Sequence, residues 1–240
     1  MKQLALDLAV PPPPTLENFI AGRNGEALAQ LRRLAAGQPG ERFLYLWGAP
    51  DCGRSHLLAA AVAQLQRAGA GAALVACRAD TPFDDSVRQV NCVALDDIER
   101  LDAEGQVAAF DLYNVLRERG GALIASGSAP PVQLELRADL VTRLAWGLVY
   151  HLHALTDEEK TRALAERAAS RGFRLPHEVA EFLLKRVRRD LPTLLAMLDA
   201  LDRYSLETRR PVTVPLVREL LHAAGPQDQG SRMQDPGGRS

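Results

Sequence analysis

The residues whose types and spacing most clearly could do chemistry are Gly48-Ala49-Pro50-Asp51-Cys52-Gly53-Arg54-Ser55. They have the spacing of a phosphate-binding loop, G-x-x-x-x-G-[K/R]-[S/T]. A Gly-rich turn leading into a helix aims backbone N–H groups and the positive end of that helix at an anion. Gly48, Pro50, Asp51, Cys52, Gly53, Arg54, Ser55 and His56 are therefore the candidate phosphate contacts. Ser55 is the hydroxyl that would hold Mg²⁺ on a triphosphate. Arg54 stands where this pattern normally has Lys, so the charge is kept while a compact ammonium becomes a planar fork. That exchange is compatible with phosphate binding and weakens the expectation of hydrolysis.

The second half of such a site needs acids. Val90 to Asp97 reads Val-Asn-Cys-Val-Ala-Leu-Asp-Asp, an apolar run ending in two carboxylates. Asp96 would hold Mg²⁺ directly or through water, and Asp97 would orient an attacking water. Ala122 to Ala125 is a further strand followed by Ser126-Gly127-Ser128, where a polar residue could sense a terminal phosphate. Arg143 lies in Asp139 to Trp146, a helix whose Leu140, Val141 and Leu144 can pack inward. On those residues alone it reads as a surface ion pair. Held rigidly at a domain edge, it could instead reach a neighbour's phosphates. Ile20 belongs to a stretch, Thr15 to Arg33, that wraps the base in nucleotide-binding ATPases but by its own residues reads as an ordinary capped helix.

The elements that must position these groups alternate. Strands are expected at 43–47, 72–76, 90–97, 122–125 and 149–152, and helices at 25–36, 56–66 and 103–119, which predicts a parallel α/β sheet with helices on its faces. Arg78 to Gln89 is a polar connection too short for a long additional helix. From Thr156 only helices follow, at 157–171, 176–187 and 190–204, then a strand-like piece and a last helix between Pro211 and Ala223. Residues 225–240 are polar, Gly- and Gln-rich, and expected to be disordered. The domains expected are a peptide with its tether at 1–14, a nucleotide-binding domain at 15–155, a helical domain at 156–224 and the tail.

Composition bounds the rest. The 240 residues suit one ordinary domain or two small ones, with 47% hydrophobic and 25% charged residues. A net charge of −1 supplies no global field to draw the chain onto DNA or an anionic membrane. Cys52, Cys77 and Cys92 form neither a disulfide framework nor a metal spacing, which fits a reducing compartment. No run approaches a membrane span, no secretory signal is visible, and a cytoplasmic protein is expected. The histidines show no ligand spacing.

At the N-terminus, Leu4, Leu6 and Leu8 alternate after Gln3, and Pro11 to Pro14 follow as a stiff spacer of about 3.1 Å per residue. An apolar peptide on a stiff tether reads as a docking peptide. It resembles the sliding-clamp-binding motif, in which a Gln fills a polar pocket and two spaced apolar residues an oily one.

Together, Phe19…Gly22-Arg23-Asn24, Tyr45-Leu46-Trp47-Gly48, Gly53-Arg54-Ser55-His56-Leu57-Leu58, Pro130-Pro131-Val132-Gln133-Leu134, Arg143-Leu144-Ala145-Trp146-Gly147, Arg171-Gly172-Phe173 and Leu183-Leu184-Lys185-Arg186 resemble the DnaA-related AAA+ family, most closely its Hda branch. The resemblance runs from about Gln3 to Ala223. It implies an AAA+ P-loop sheet with a small C-terminal helical lid, ADP (or ATP) and Mg²⁺ as ligands, and two partners, DnaA and the DNA polymerase III sliding clamp (β subunit). DNA would be met only through the clamp, no membrane is involved, and a homodimer is plausible for the family. Gln3, Leu4, Leu6 and Leu8 would contact the clamp. Arg143 would act in trans on ATP held by DnaA, so that the initiator is inactivated and replication does not restart. The initiator's helical insertion and its helix-turn-helix domain have no counterpart here.

Two positions depart from the family pattern. A sensor arginine expected in the third lid helix aligns with Pro192, where Arg188 or Arg189 could substitute. The first sensor position, usually Asp, aligns with Ser128. With Arg54 these departures imply binding with weak or no intrinsic ATPase activity. An autonomous ATPase or loader, and a clamp-tethered adaptor without stimulating activity, are the alternatives.

Overall fold

The computed structural model describes residues 12–188 and 190–223. They form two compact units, one ending at Thr156 and the other beginning at Asp157.

The first unit is built on β1 (Phe43–Trp47), β2 (Ala72–Ala76), β3 (Cys92–Asp96), β4 (Ala122–Gly127) and β5 (Leu148–His151), all parallel in the order β2-β3-β4-β1-β5. Its helices are α1 (Gly25–Ala35), α2 (Arg54–Arg67), the short α3 (Asp85–Arg88), α4 (Ala103–Glu118) and α5 (Ala138–Trp146). Side chains alternate across a strand, and both faces of the central strands are buried. Leu44, Leu46, Ala94 and Ile124 pack with α1 and α2 on one face. Tyr45, Val93, Leu95, Leu123 and Ala125 pack with α4 and α5 on the other.

The short α3 stands in the connection expected between residues 78 and 89, capped by Asp84, whose carboxylate accepts from the N–H groups of Ser86 and Val87. β3 stops at Asp96, one residue before the expected end, because Asp97 turns into left-handed backbone at φ 55°. β4 runs on through Ser126 and Gly127, so the serine expected in a loop is fully buried in a strand.

The second unit comprises α6 (Asp157–Ser170), α7 (His177–Arg186), α8 (Leu191–Thr208) and α9 (Val214–Ala223) around Leu164, Val179, Leu183, Leu194, Leu198, Leu201 and Leu216. Asp190 caps α8 through the N–H of Thr193, and Pro192 occupies the first turn, where a missing N–H costs nothing. Arg188 pairs with Asp190, while Arg189 lies outside the described residues. Within the unit, Asp199 is met by both Arg167 and Arg171. The strand-like piece expected after Pro211 is not formed; α9 begins at Val214 with Pro215 in its first turn. No helix of the described residues is long and apolar enough to cross a membrane.

Candidate functional site

The loop between β1 and α2 is shaped by three backbone positions. Gly48 leaves no room for a β-carbon beside the Leu152 carbonyl and the Cys52 sulfur. Asp51 is left-handed at φ 62°. Gly53, at φ 98°, would bring a β-carbon to 2.6 Å from the Phe19 ring. Cys52 is buried beneath the loop, and burial pushes its thiol upward, so it packs rather than reacts.

Arg54, Ser55 and His56 form the first turn of α2, with Ser55 exposed. The N–H groups of a first helical turn have no intrahelical acceptor. Here the N-cap is Gly53, no side chain caps the helix, and no acid stands in its first turn. The helix end therefore keeps its positive character for an anion.

Phe19 lies against the loop and near the His56 ring, at 5.5 Å between centroids. His56 Nε2 meets the Thr15 carbonyl at 3.0 Å, and burial holds the imidazole below its ordinary value. Ile20 follows Phe19 and is half-buried. The stretch is not an ordinary capped helix start. Asn24, although at the N-cap of α1, makes no cap bond. Its side-chain amide donates to the His153 carbonyl at 2.9 Å and accepts the His153 N–H at 2.8 Å, tying the segment to the end of β5.

Across the loop, Arg54 Nη2 lies 3.3 Å from Asp97 Oδ1, and Arg100 approaches the other oxygen of the same carboxylate at 3.3 Å. Arg54 Nη1 is buried with no partner. Asp96 instead accepts the Ser126 hydroxyl at 2.5 Å, and Ser126 in turn accepts the Asp97 N–H at 2.9 Å. Ser126 thus locks both acids from a fully buried position. Ser128 is exposed, and its N–H donates to Glu99 at 2.9 Å. Beneath, Tyr45 donates its hydroxyl to the Ala129 carbonyl at 2.7 Å. Burial and the Glu99 charge raise that phenol against the opposing pull of Arg54.

The residues fit a phosphate group. An uncapped helix end, a loop with two left-handed positions and an orphaned buried guanidinium nitrogen converge on one place. Ser55 and Asp96 offer the hydroxyl and carboxylate that Mg²⁺ takes alongside phosphate oxygens. Among the described residues there is no cluster of three His, Cys, Asp or Glu side chains that would bind a metal by itself.

Arg143 is not brought to this loop. Its helix, α5, ends against the Phe43 carbonyl, where β1 begins, whereas the phosphate loop follows the other end of that strand. At about 3.3 Å per residue, the two ends of β1 are roughly 13 Å apart. The surface ion pair expected of Arg143 is also not formed. Among the described residues it pairs with no carboxylate. Instead its guanidinium stacks 4.1 Å over Trp146 and lies 5.5 Å from Phe110 and 5.9 Å from Tyr113. Gln3, Leu4, Leu6 and Leu8 lie outside the described residues, as does the tail at 225–240.

Sequence reasoning placed Ser126 in a run where a polar residue could sense a terminal phosphate but missed its hold on the acid pair, and it missed Glu99 and the aromatic surroundings of Arg143. The signal for Ser126 was its place directly after an apolar run that faces the acid pair.

A parallel sheet with a phosphate loop after β1 and an acid pair closing β3 defines an AAA+ P-loop protein with a C-terminal helical lid. Solved structures agree on that fold. AMPPCP-bound DnaA from Aquifex aeolicus is 21% identical, with a TM-score of 0.66 over 83% of this chain and 71% of that one. Domain III of Thermotoga maritima DnaA is 20% identical, with a TM-score of 0.69 over 91% of this chain and 100% of that one. Thermotoga maritima RuvB, at 15% identity, has a TM-score of 0.62 over 91% of this chain and 76% of that one. Residues 157–221 match the family described as the Hda lid domain. The helical unit is thus similar to the Hda lid domain, and the chain has the AAA+ fold seen in these DnaA structures.

Proposed function

We propose that this chain is a regulatory inactivator of DnaA: it holds an adenine nucleotide in its own loop, docks on the DNA-loaded sliding clamp, and lends Arg143 to ATP bound by DnaA. The observation that carries this reading is the placement of Arg143. It stands at the far end of β1 from its own phosphate loop, and among the described residues no carboxylate pairs with it. An arginine so placed is poorly sited for its own nucleotide and well sited for a neighbour's. In other NTPases a finger that meets charge spreading over the γ-phosphoryl oxygens raises the rate about 10³–10⁵-fold.

The chain's own site supports binding more than turnover. Asp97, the candidate to orient a water, is held by Arg54 and Arg100 together. A carboxylate whose two oxygens are both engaged by guanidiniums is less free to orient a water. Gly48, Pro50, Asp51, Cys52, Gly53, Arg54, Ser55 and His56 would surround the phosphates, with Ile20 toward the base and Ser55 and Asp96 toward Mg²⁺. The AMPPCP carried by the Aquifex aeolicus DnaA structure supports an adenine nucleotide, ADP or ATP. Gln3, Leu4, Leu6 and Leu8 would seat on the clamp, with the prolines as tether.

The test is the fate of labelled ATP pre-bound to DnaA in the presence of clamp loaded on DNA. The expected result is conversion to ADP that requires this chain, the loaded clamp and Arg143. Full conversion by Arg143→Ala would overturn the finger. Absence of conversion with clamp binding intact would reduce the protein to an adaptor.

A further inference from the structure

An arginine that waits for another molecule's phosphate faces a physical problem. A long, charged, unpaired side chain samples many rotamers, and each bond it later makes is weakened by the entropy of ordering it. Pairing it with a carboxylate would hold it still but would spend its charge.

The surroundings of Arg143 solve this without an acid. Leu140 and Leu144 are buried and anchor α5 on the sheet. Trp146 lies three residues after Arg143, on the same face of the helix. Its ring sits 4.1 Å from the guanidinium carbon. Phe110 and Tyr113 of α4 approach at 5.5 Å and 5.9 Å, and Tyr113 is itself fixed in the core at 2% exposure. Arg143 Nε is buried with no partner. Ring faces attract a cation through their quadrupole and leave its net charge intact. Arg117 lies over the same indole at 4.9 Å, so the ring is met by two guanidiniums. Trp146 nevertheless remains 53% exposed, so the clip opens toward solvent.

We propose that Trp146, with Phe110 and Tyr113, is the positioning device for Arg143: an aromatic clip that fixes the guanidinium while keeping its charge available. This rests on the finger reading above. Trp146 acts through Arg143 and need not touch the phosphate.

The test separates positioning from mere contact and from failure of the finger reading. Stimulated hydrolysis of DnaA-bound ATP is measured against increasing concentrations of wild type, Trp146→Ala, Trp146→Phe and Arg143→Ala, each full length and each checked by thermal unfolding. The expected result for Trp146→Ala is a maximal rate lower by about 3- to 30-fold, the range spanned by one cation–π contact, with the half-saturating concentration unchanged. Trp146→Phe should recover most of the rate. A raised half-saturating concentration with an unchanged maximum would make Trp146 a docking contact and overturn the proposal. The second readout is independent of activity. In NMR spectra of the protein alone, the Arg143 Nε–H resonance should carry a ring-current shift that Trp146→Ala removes. An identical resonance in both proteins would overturn the clip. Full activity of Arg143→Ala would overturn the finger reading, and the resonance would then still report whether the clip exists.

Discussion

Replacing Ser126 with Ala removes one oxygen from the middle of the acid pair. That oxygen is fully buried, donates to Asp96 at 2.5 Å and accepts from the Asp97 N–H at 2.9 Å. A hydrogen bond to a charged group contributes about 1.5–3 kcal/mol, and a stranded buried N–H costs about 1–3 kcal/mol. The two losses do not add fully, because Asp96 is half-exposed and can recover some hydration. The expected destabilisation is about 2–4 kcal/mol. For a chain of this size that is a fall in Tm of about 5–12 °C. Calorimetry is the suitable assay, since the two units can melt separately; the loss should fall on the transition of the unit that ends at Thr156. Ser128→Ala is the control. Ser128 is exposed and only its backbone N–H is engaged, so its cost should stay within about 0.5 kcal/mol. A Ser126→Ala protein that melts within about 1 °C of wild type would refute the idea that this hydroxyl holds the two acids together.

Gly127→Ala should destabilise by about 1–3 kcal/mol, because its β-carbon would run into the Tyr45 hydroxyl. Adding Tyr45→Phe removes that oxygen and should relieve part of the cost in a denaturant titration. Asn24→Ala strands both backbone groups of His153 and should cost about 2–4 kcal/mol, read as faster hydrogen exchange at His153. His56 is held below its ordinary value of 6.5, mainly by burial. The unfolded chain therefore takes up the proton first, and stability present above that value should fall as pH drops from it toward the folded pKa. His56→Gln should flatten that slope in a Tm-against-pH series.

What could be read from the chain was what is encoded locally. The phosphate loop declares itself through glycines whose backbone no other residue adopts easily, and the acid pair through an apolar run that stops at two carboxylates. The alternating strands were visible because both faces of the sheet are covered and their residues are continuously apolar. The Thr15 to Arg33 stretch read as an ordinary capped helix because a polar residue before a helix is usually a cap; the partner of Asn24 lies 129 residues away. Ser126 was read only as part of a run that could sense a phosphate, because a polar residue at a strand end looks like the start of a loop and not like a buried partner of the acids. The helix at 103–119 was legible, but periodicity cannot tell that Phe110 and Tyr113 turn their rings toward an arginine. Pro211 and the β-branched residues after it suggested a strand, but among the described residues of that unit there is no partner strand, and a lone strand cannot satisfy its backbone.

The order of strands in the sheet also sets when the protein can exist on the ribosome. β1 carries the phosphate loop, yet its two neighbours are β4 and β5, which begin at Ala122 and Leu148. The segment around Phe19 is pinned later still, by His153. Only the β2-β3 and β3-β4 pairs join strands that are consecutive in the chain. At about 5–20 residues per second, the loop therefore waits about 5–20 s between its own synthesis and that of the last strand that completes its walls. A nascent chain of this protein has its phosphate-binding sequence long before it has a phosphate-binding site, and newly made molecules should gain nucleotide only once the whole first unit has left the exit tunnel.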